Sequence, residues 1–541
     1  MSRLREAPAG CERTVVARAG EREGRSFGPE EVMGGGQKSA LSLARPSIAL
    51  GAACLLLHLI VNNRYAIFRD ELYFIVCGEH PALGYVDQPP LIPLLAGASH
   101  GLFGTALLPL RLLPAIAMSA TVSLAAEFTR VLGGGRFAQW LCGLAVLTGP
   151  VFLVDGLLMS TDALQPLTWL ACGWCLTRLT QTKDERWWLG FGLCVGVSLT
   201  AKYLIFFFLA GLAVGVVLTP VRLSLLKPQL YLGALIALIF LSPSLYWQAA
   251  NGWPFVELGK AAAAKNLALS PLAFAGQQIL FVGPLSAPIW IAGLWWFFVH
   301  PPYPHLRAFP IAYATMAALV YAVHGKAYYL TPIYPILLAG GALAIENWLV
   351  KPGYRWVAAG AIAVSGAVFA PVVLPILPPA DYVVYADALG MSLGASATEK
   401  LASGVLPQHL ADMFGWRDLA AKVSAIYNAL PPDERAKAVF FGRNYGEASA
   451  IDVYGPSLHG PPALSGHNNY YFWGPQGYDG SVVIVVGGDP ARYAEYYQSI
   501  ERAGELDSPY AMPYETNIPI FVLRGNRVSI ATAWPTLRHF E

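Results

Sequence analysis

Residues 43–73 read LARPSIALGAACLLLHLIVNNRYAIFRDELY. From Leu43 to Val61 the run carries one Arg and one His among residues that are otherwise apolar or small, close to the roughly 20 residues that a helix needs to cross a bilayer. Just past its far end stand two adjacent carboxylates, Asp70 and Glu71, which the span places at the water interface. There they can do acid/base work on something the membrane holds.

Apolar segments of this kind recur along the chain, at about 107 to 128, 138 to 154, 163 to 178, 188 to 201, 203 to 220, 229 to 248, 276 to 298, 309 to 323, 328 to 349 and 355 to 376. With the first, that makes about eleven expected spans, of which 188 to 220 could also be one helix broken at Lys202. Composition agrees: 55% of residues are hydrophobic and 13% charged, against roughly 25% charged in soluble domains. The sequence reads as a polytopic α-helical membrane protein.

A net charge of +2, with no basic tract interleaved with aromatics outside the spans, excludes nucleic acid as a partner. Six of the seven Cys lie in apolar runs or the first loop and Cys11 in the N-terminal tail, so no disulfide framework is present. Cys172 and Cys175 are spaced by one turn of an apolar helix and lack the flanking context of a redox or metal pair.

Residues 1–42 are rich in Arg, Glu and Gly without apolar period and are expected to form a disordered cytoplasmic tail, within which Met33 is an alternative start. The following span is expected to stay uncleaved, being too long for a signal peptide. Lys and Arg gather in the tail and in alternate loops, at Arg130 and Arg136, Arg178 to Arg186, Arg222 and Lys227, Arg307, and Lys351 and Arg355. Basic loops stay in the cytoplasm, so the Asp70 loop and the C-terminus are expected outside it, in the inner (plasma) membrane.

After Pro375, Pro378 and Pro379 the chain changes character, with 17 acidic against 11 basic residues. Residues 377–541 are expected to form a soluble extracytoplasmic α/β domain, with an amphipathic helix over Asp412 to Leu430, short strands at Ala438 to Phe441, Val482 to Val486 and Ile520 to Leu523, and a helix over Ala491 to Arg502.

An enzyme facing away from the cytoplasm has no nucleotide-sugar supply and must take an activated donor from a lipid, such as a polyprenyl phosphate carrying a sugar. Transfer needs a carboxylate base, a cation for the leaving phosphate and a groove for the tail. Asp70 is the candidate base with Glu71 beside it, although both acids would also suit the N-terminus of an interfacial helix. In Tyr85-Val86-Asp87-Gln88-Pro89-Pro90 the side chains of Tyr85 and Asp87 could reach a phosphate, an acceptor or a divalent cation, the one cofactor left open. Lys202 and Lys326 interrupt apolar sequence on the same side, where an ionisable group suggests function and snorkelling is the alternative. Asp162 begins a span, where capping and chemistry are equally served.

Taken in order, Arg69-Asp70-Glu71-Leu72-Tyr73, Gly84-Tyr85-Val86-Asp87-Gln88-Pro89-Pro90-Leu91, Thr161-Asp162-Ala163-Leu164, Ala201-Lys202-Tyr203 and the run from Lys326 through Tyr329 to Pro335 resemble the bacterial family 39 glycosyltransferases. These are GT-C fold enzymes related to protein O-mannosyltransferases and to the lipid A aminoarabinose transferase. The resemblance covers about residues 45 to 350 and reaches Asn444-Tyr445-Gly446-Glu447-Ala448, Ser465-Gly466-His467-Asn468 and Trp473-Gly474-Pro475. It implies that residues 43–376 form a transmembrane glycosyltransferase domain, a hexosyl- or pentosyltransferase of the cell envelope that depends on a lipid-phosphate sugar. It further implies that Asp70 is the catalytic acid/base, that Lys202 contacts the lipid phosphate, and that Tyr85 and Asp87 line the site. Arg69, Asp162, Lys326 and Tyr329 fall within the same motifs as candidate substrate contacts. The acceptor would be a lipid, glycan or protein, and the anomeric configuration would invert. Gln88 stands where relatives of the lipid A branch carry Lys. The contrasting reading, a polytopic transporter or lipid-linked sugar flippase, would place ionisable groups near the midplane within repeated halves. Here they crowd one surface, and no internal repeat is visible.

Overall fold

The computed structural model describes residues 45–300, 304–391 and 404–541, and the N-terminal tail with Cys11 and Met33 lies outside them. Every apolar segment read from the sequence is helical, as it must be where lipid offers backbone groups no partner but each other. Among the described residues, four helices are long and apolar enough to cross a membrane: Leu112–Val131, Pro228–Ala250, Ala327–Trp348 and Pro352–Val373. Three more spans result if bent pairs each count as one, so length and composition give up to seven rather than the expected eleven.

Three of the expected spans are bent. Arg136–Thr148 turns by 63° into Pro150–Leu157, Ile205–Val217 by 105° into Pro220–Leu226, and Pro271–Val282 by 97° into Pro284–Val299. Each second half begins with proline, which lacks the N–H that would continue the first. Arg45–Val61, with 17 residues, and Trp187–Ala201, with 15, fall short of the usual span. The break at Lys202 is real, since a separate helix begins at Ile205.

Two short helices follow the first span. Arg69–Glu79 begins where the acids suggested, and Leu91–Phe103 is a helix the sequence reading did not foresee. They cross at Gly78 and Gly97, where a Cβ on Gly78 would lie 2.1 Å from the Pro93 carbonyl oxygen and 2.7 Å from the Gly97 Cα. Only glycine permits that approach, which fixes the loop helix against its neighbour.

Beyond the last apolar helix the chain builds a five-stranded mixed sheet: β1 (Ala438–Phe441), β2 (Ala463–Leu464), β3 (Val482–Val486), β4 (Tyr497–Leu506) and β5 (Ile518–Asn526), in the order β2-β1-β3-β5-β4. β1 pairs in parallel with β2 and β3, and β5 runs antiparallel to β3 and β4, with Val483 opposite Leu523. Central β3, Val-Val-Ile-Val-Val, is buried throughout, as a strand covered on both faces requires. Helix Trp416–Ala429 buries Trp416, Leu419, Ala420 and Val423. The helix expected over Ala491 to Arg502 ends at Tyr496, and the chain continues as edge strand β4. Pairing along β5 overrides the local helical pattern there.

The sheet domain closes on the first loop. Tyr65 donates its hydroxyl to the Leu377 carbonyl at 2.7 Å, Arg64 binds the Ile376 carbonyl, and the Arg69 backbone N–H reaches the Asp412 carbonyl at 2.9 Å.

Candidate active site

Asp70 and Glu71 have opposite fates although they are neighbours. Successive helical residues point about 100° apart, so the first turn of Arg69–Glu79 turns one acid outward and one inward. Glu71 is fully buried. Its Oε1 accepts from Arg111 Nε at 3.0 Å and from the Met159 backbone N–H at 2.9 Å, and its Oε2 accepts from Arg111 Nη2 at 2.8 Å and the Phe68 N–H at 2.9 Å. Arg111, also fully buried, spends further donors on the carbonyls of Asn62, Arg64 and Ala66. With both oxygens occupied, Glu71 staples the loop helix to the membrane helices. Arg111 escaped the sequence reading, although a lone Arg inside Leu107-Leu108-Pro109-Leu110-Arg111-Leu112-Leu113 was its signal.

The Asp70 side chain keeps 35% exposure. Oδ1 accepts the Tyr445 hydroxyl at 2.8 Å and lies 3.3 Å from Arg69 Nε, and no donor among the described residues claims Oδ2. Asp87, half-buried in the next loop, accepts the Tyr73 hydroxyl at 3.2 Å. Burial, with a smaller push from the Asp70 charge, raises its carboxyl to about 7. The rings of Tyr73 and Tyr445 lie 4.5 Å apart, so two packed phenols each hold one carboxylate. Burial raises both phenols well above their ordinary range, which keeps them proton donors.

Asn469, from the sheet domain, accepts the Val86 N–H at 2.7 Å and donates its own N–H to the Tyr73 hydroxyl at 3.2 Å. Tyr445 lies in a segment that the motif resemblance reaches, and Asn469 directly follows another, but the resemblance attaches no role to either.

Arg69, a candidate substrate contact, keeps 19% side-chain exposure. Its Nη1 lies 3.4 Å from both Asp412 Oδ2 and the Tyr514 hydroxyl, and its guanidinium carbon is 5.6 Å from the centre of the Tyr445 ring. Gly446 makes room for it, since a Cβ there would fall 2.6 Å from Arg69 Cγ. Tyr85 is fully buried: its hydroxyl donates to the Cys77 carbonyl at 2.7 Å, and its carbonyl accepts from Gln248 Nε2 at 2.8 Å. Gln88 is buried, with its carbonyl holding the Tyr85 N–H at 3.0 Å.

The second half of the site lies around Lys202. As the residue closing helix Trp187–Ala201, it places Nζ 2.7 Å from Asp162 Oδ2 and 5.7 and 5.2 Å from the ring centres of Tyr328 and Tyr329. Three candidates, Lys202, Asp162 and Tyr329, are thus in contact. Lys326 precedes the 3-10 turn Ala327–Ile333, its carbonyl accepting the Tyr329 N–H at 3.0 Å. Tyr203, next to Lys202, lies within electrostatic reach of Asp87 and hydrogen-bonds Ser244, which packs against Gly84 in the Asp87 loop. The two halves therefore border one another through Tyr203.

Among the described residues, one group has ligating atoms close enough for a metal ion: His467, His539 and Glu541, within 4.8 Å of one another. His467 Nδ1 accepts the Tyr445 N–H at 3.2 Å, and the two nitrogens of His539 lie 2.9 and 3.2 Å from the Leu537 and Arg443 carbonyls. The imidazoles stack at 4.6 Å with 21° between their planes. Backbone partners and stacking account for this group without an ion.

Residues 87–247 match the family described as dolichyl-phosphate-mannose-protein mannosyltransferase. The lipid A galacturonosyltransferase RgtD of Rhizobium johnstonii is 28% identical over 182 residues, which is 33% of this chain and 38% of that protein. Over 88% of its length the chain superposes on 97% of ArnT from Cupriavidus metallidurans bound to undecaprenyl phosphate, with a TM-score of 0.58 and 16% identity. The apo form of the same protein gives the same TM-score with 15% identity. The fold is of the GT-C type. The resemblance read from the motifs is borne out by these matches, and the GT-C fold places the loop helix Arg69–Glu79 and the Lys202 turn in one unit with the sheet domain.

Proposed function

We propose that this protein is a glycosyltransferase that moves a sugar from a polyprenyl-phosphate donor to an acceptor hydroxyl at the extracytoplasmic face of the inner (plasma) membrane, inverting the anomeric configuration. The observation that carries the proposal is Asp70, held through Oδ1 by Tyr445 and Arg69 while Oδ2 is left to take a proton. In the proposed step Asp70 removes the acceptor hydroxyl proton, the acceptor oxygen bonds to the anomeric carbon, and the bond from that carbon to the phosphate oxygen breaks. The electron pair leaves on the lipid phosphate, whose charge Lys202 stabilises, and the proton on Asp70 returns to solvent. Asp87 borders the acceptor side and Tyr329 the phosphate side.

Several findings support this reading. The donor class agrees with the undecaprenyl phosphate bound to ArnT, and the lipid-linked chemistry with the names of the matched family and of RgtD. Contact between the Asp70 loop and the sheet domain requires both to lie on one side of the membrane, in line with the Lys and Arg distribution that puts residues 1–42 in the cytoplasm. On this reading residues 43–376 are the membrane-embedded catalytic domain and 377–541 the extracytoplasmic domain. The acceptor is a lipid, glycan or protein of the cell envelope.

The test uses solubilised membranes from cells lacking the gene, which hold both unspent donor and unmodified acceptor. Purified full-length protein should produce a sugar-sized mass increment on an envelope component, and Asp70→Asn should reduce the rate by roughly 100-fold or more. An unchanged mass spectrum with the wild-type protein, or near-normal turnover by Asp70→Asn, would overturn the assignment.

A further inference from the structure

The C-terminal domain does more than cover the membrane-embedded half, because one of its side chains touches the proposed base. We propose that Tyr445 is a positioning residue for Asp70, so that the extracytoplasmic domain supplies part of the catalytic site; this rests on the glycosyltransferase reading above.

Tyr445 opens helix Tyr445–Tyr454, whose preceding residue Asn444 caps it by accepting the Glu447 N–H at 2.9 Å. The cap fixes the first turn, and three contacts then fix the side chain. Its ring packs 4.5 Å from Tyr73, it carries the Arg69 guanidinium over its face, and it lies 4.9 Å from the His467 ring. The hydroxyl has one direction left, toward Asp70 Oδ1 at 2.8 Å. The backbone N–H of Tyr445 is itself held by His467 Nδ1.

A hydrogen bond to one carboxylate oxygen restrains rotation of the group and leaves Oδ2 as the oxygen that no donor among the described residues holds. Among the described residues, the other charged or titratable groups around Asp70 are Arg69 and Tyr73 on its own helix and Asp87 from the adjoining loop. Asp412 and Tyr514 act on it through Arg69. Tyr445 is the member of this set that the sheet domain aims at Oδ1, and its link to residue 70 spans 375 positions of sequence.

Tyr445→Phe keeps the ring and its three packing contacts and removes only the hydroxyl, so folding should be preserved. In the membrane assay described above, kcat should fall 10- to 100-fold while the apparent KM for the polyprenyl-phosphate fraction stays within about twofold. Tyr445→Leu, which also removes the ring, should lower the unfolding temperature where Tyr445→Phe does not. A Tyr445→Phe protein with wild-type kcat, or one whose kcat and KM change together, would overturn the positioning role while leaving the glycosyltransferase reading intact. Absence of any product with the wild-type protein would instead overturn that reading and this inference together.

Discussion

Arg111 and Glu71 form an ion pair without solvent exposure, with Nη2 2.8 Å from Oε2 and Nε 3.0 Å from Oε1. Between them they hold the start of the loop helix, the end of the first span and the backbone at Met159. Burying two charges is costly, and deleting one partner leaves the other uncompensated, at a cost of about 3–5 kcal/mol. Glu71→Ala should therefore lose that much stability, read as a lower unfolding temperature in detergent, and its loss of transfer should follow the loss of folded protein. Glu71→Gln, which can still accept hydrogen bonds, should lose less. A Glu71→Ala protein that folds normally yet turns over slowly would return Glu71 to the chemistry.

Lys202 and Asp162 predict a contrast between two substitutions. In the resting site the ammonium is balanced by the Asp162 carboxylate at 2.7 Å, so an incoming lipid phosphate competes with that carboxylate. Lys202→Ala removes the cation and should raise the apparent donor KM by roughly 10-fold, as expected for a lost charge-assisted contact. Asp162→Asn removes the competitor and should leave donor KM unchanged or lower. Equal weakening by both would show that the pair is structural and that phosphate binds elsewhere.

These cases show why part of the site was legible in the sequence and part was not. Spans are legible because lipid dictates their composition, and Asp70 and Lys202 stand out as ionisable groups beside them. Their number is harder to read, since the proline bends at Pro150, Pro220 and Pro284 divide apolar runs without altering their hydropathy. Asp70 and Glu71 look equivalent in sequence, and only the helical turn separates a partly exposed carboxylate from a buried staple. Tyr445, Asn469 and Asp412 carry no local signal tying them to residues 69–87, because their contacts arise when the sheet domain docks on the loop.

Asp452 gives a prediction about pH. It lies on helix Tyr445–Tyr454 beneath the first loop, with Oδ2 2.6 Å from the Tyr470 hydroxyl, and burial raises its carboxyl to about 7. In the unfolded chain it would ionise near its ordinary value of 3.8. Between these values the folded protein holds a proton that the unfolded chain has released, so this group's contribution to stability is full at about pH 4 and is lost as pH rises through 7. His467, which burial lowers to about 3, acts in the opposite sense on the acid side, where the unfolded chain binds the extra proton. That opposing effect is common to the wild type and to Asp452→Asn, so comparing the two isolates Asp452. The amide cannot ionise, so the variant lacks Asp452's share of the loss as pH rises, while Asp87, also raised to about 7, acts alike in both proteins. Stabilities, read from unfolding, should therefore diverge between pH 4 and 7 in favour of Asp452→Asn, by on the order of a few kcal/mol at neutral pH. Parallel curves across that range would show that Asp452 is already ionised in the folded protein, with the Tyr470 hydroxyl hydrogen bond meeting the cost of its burial.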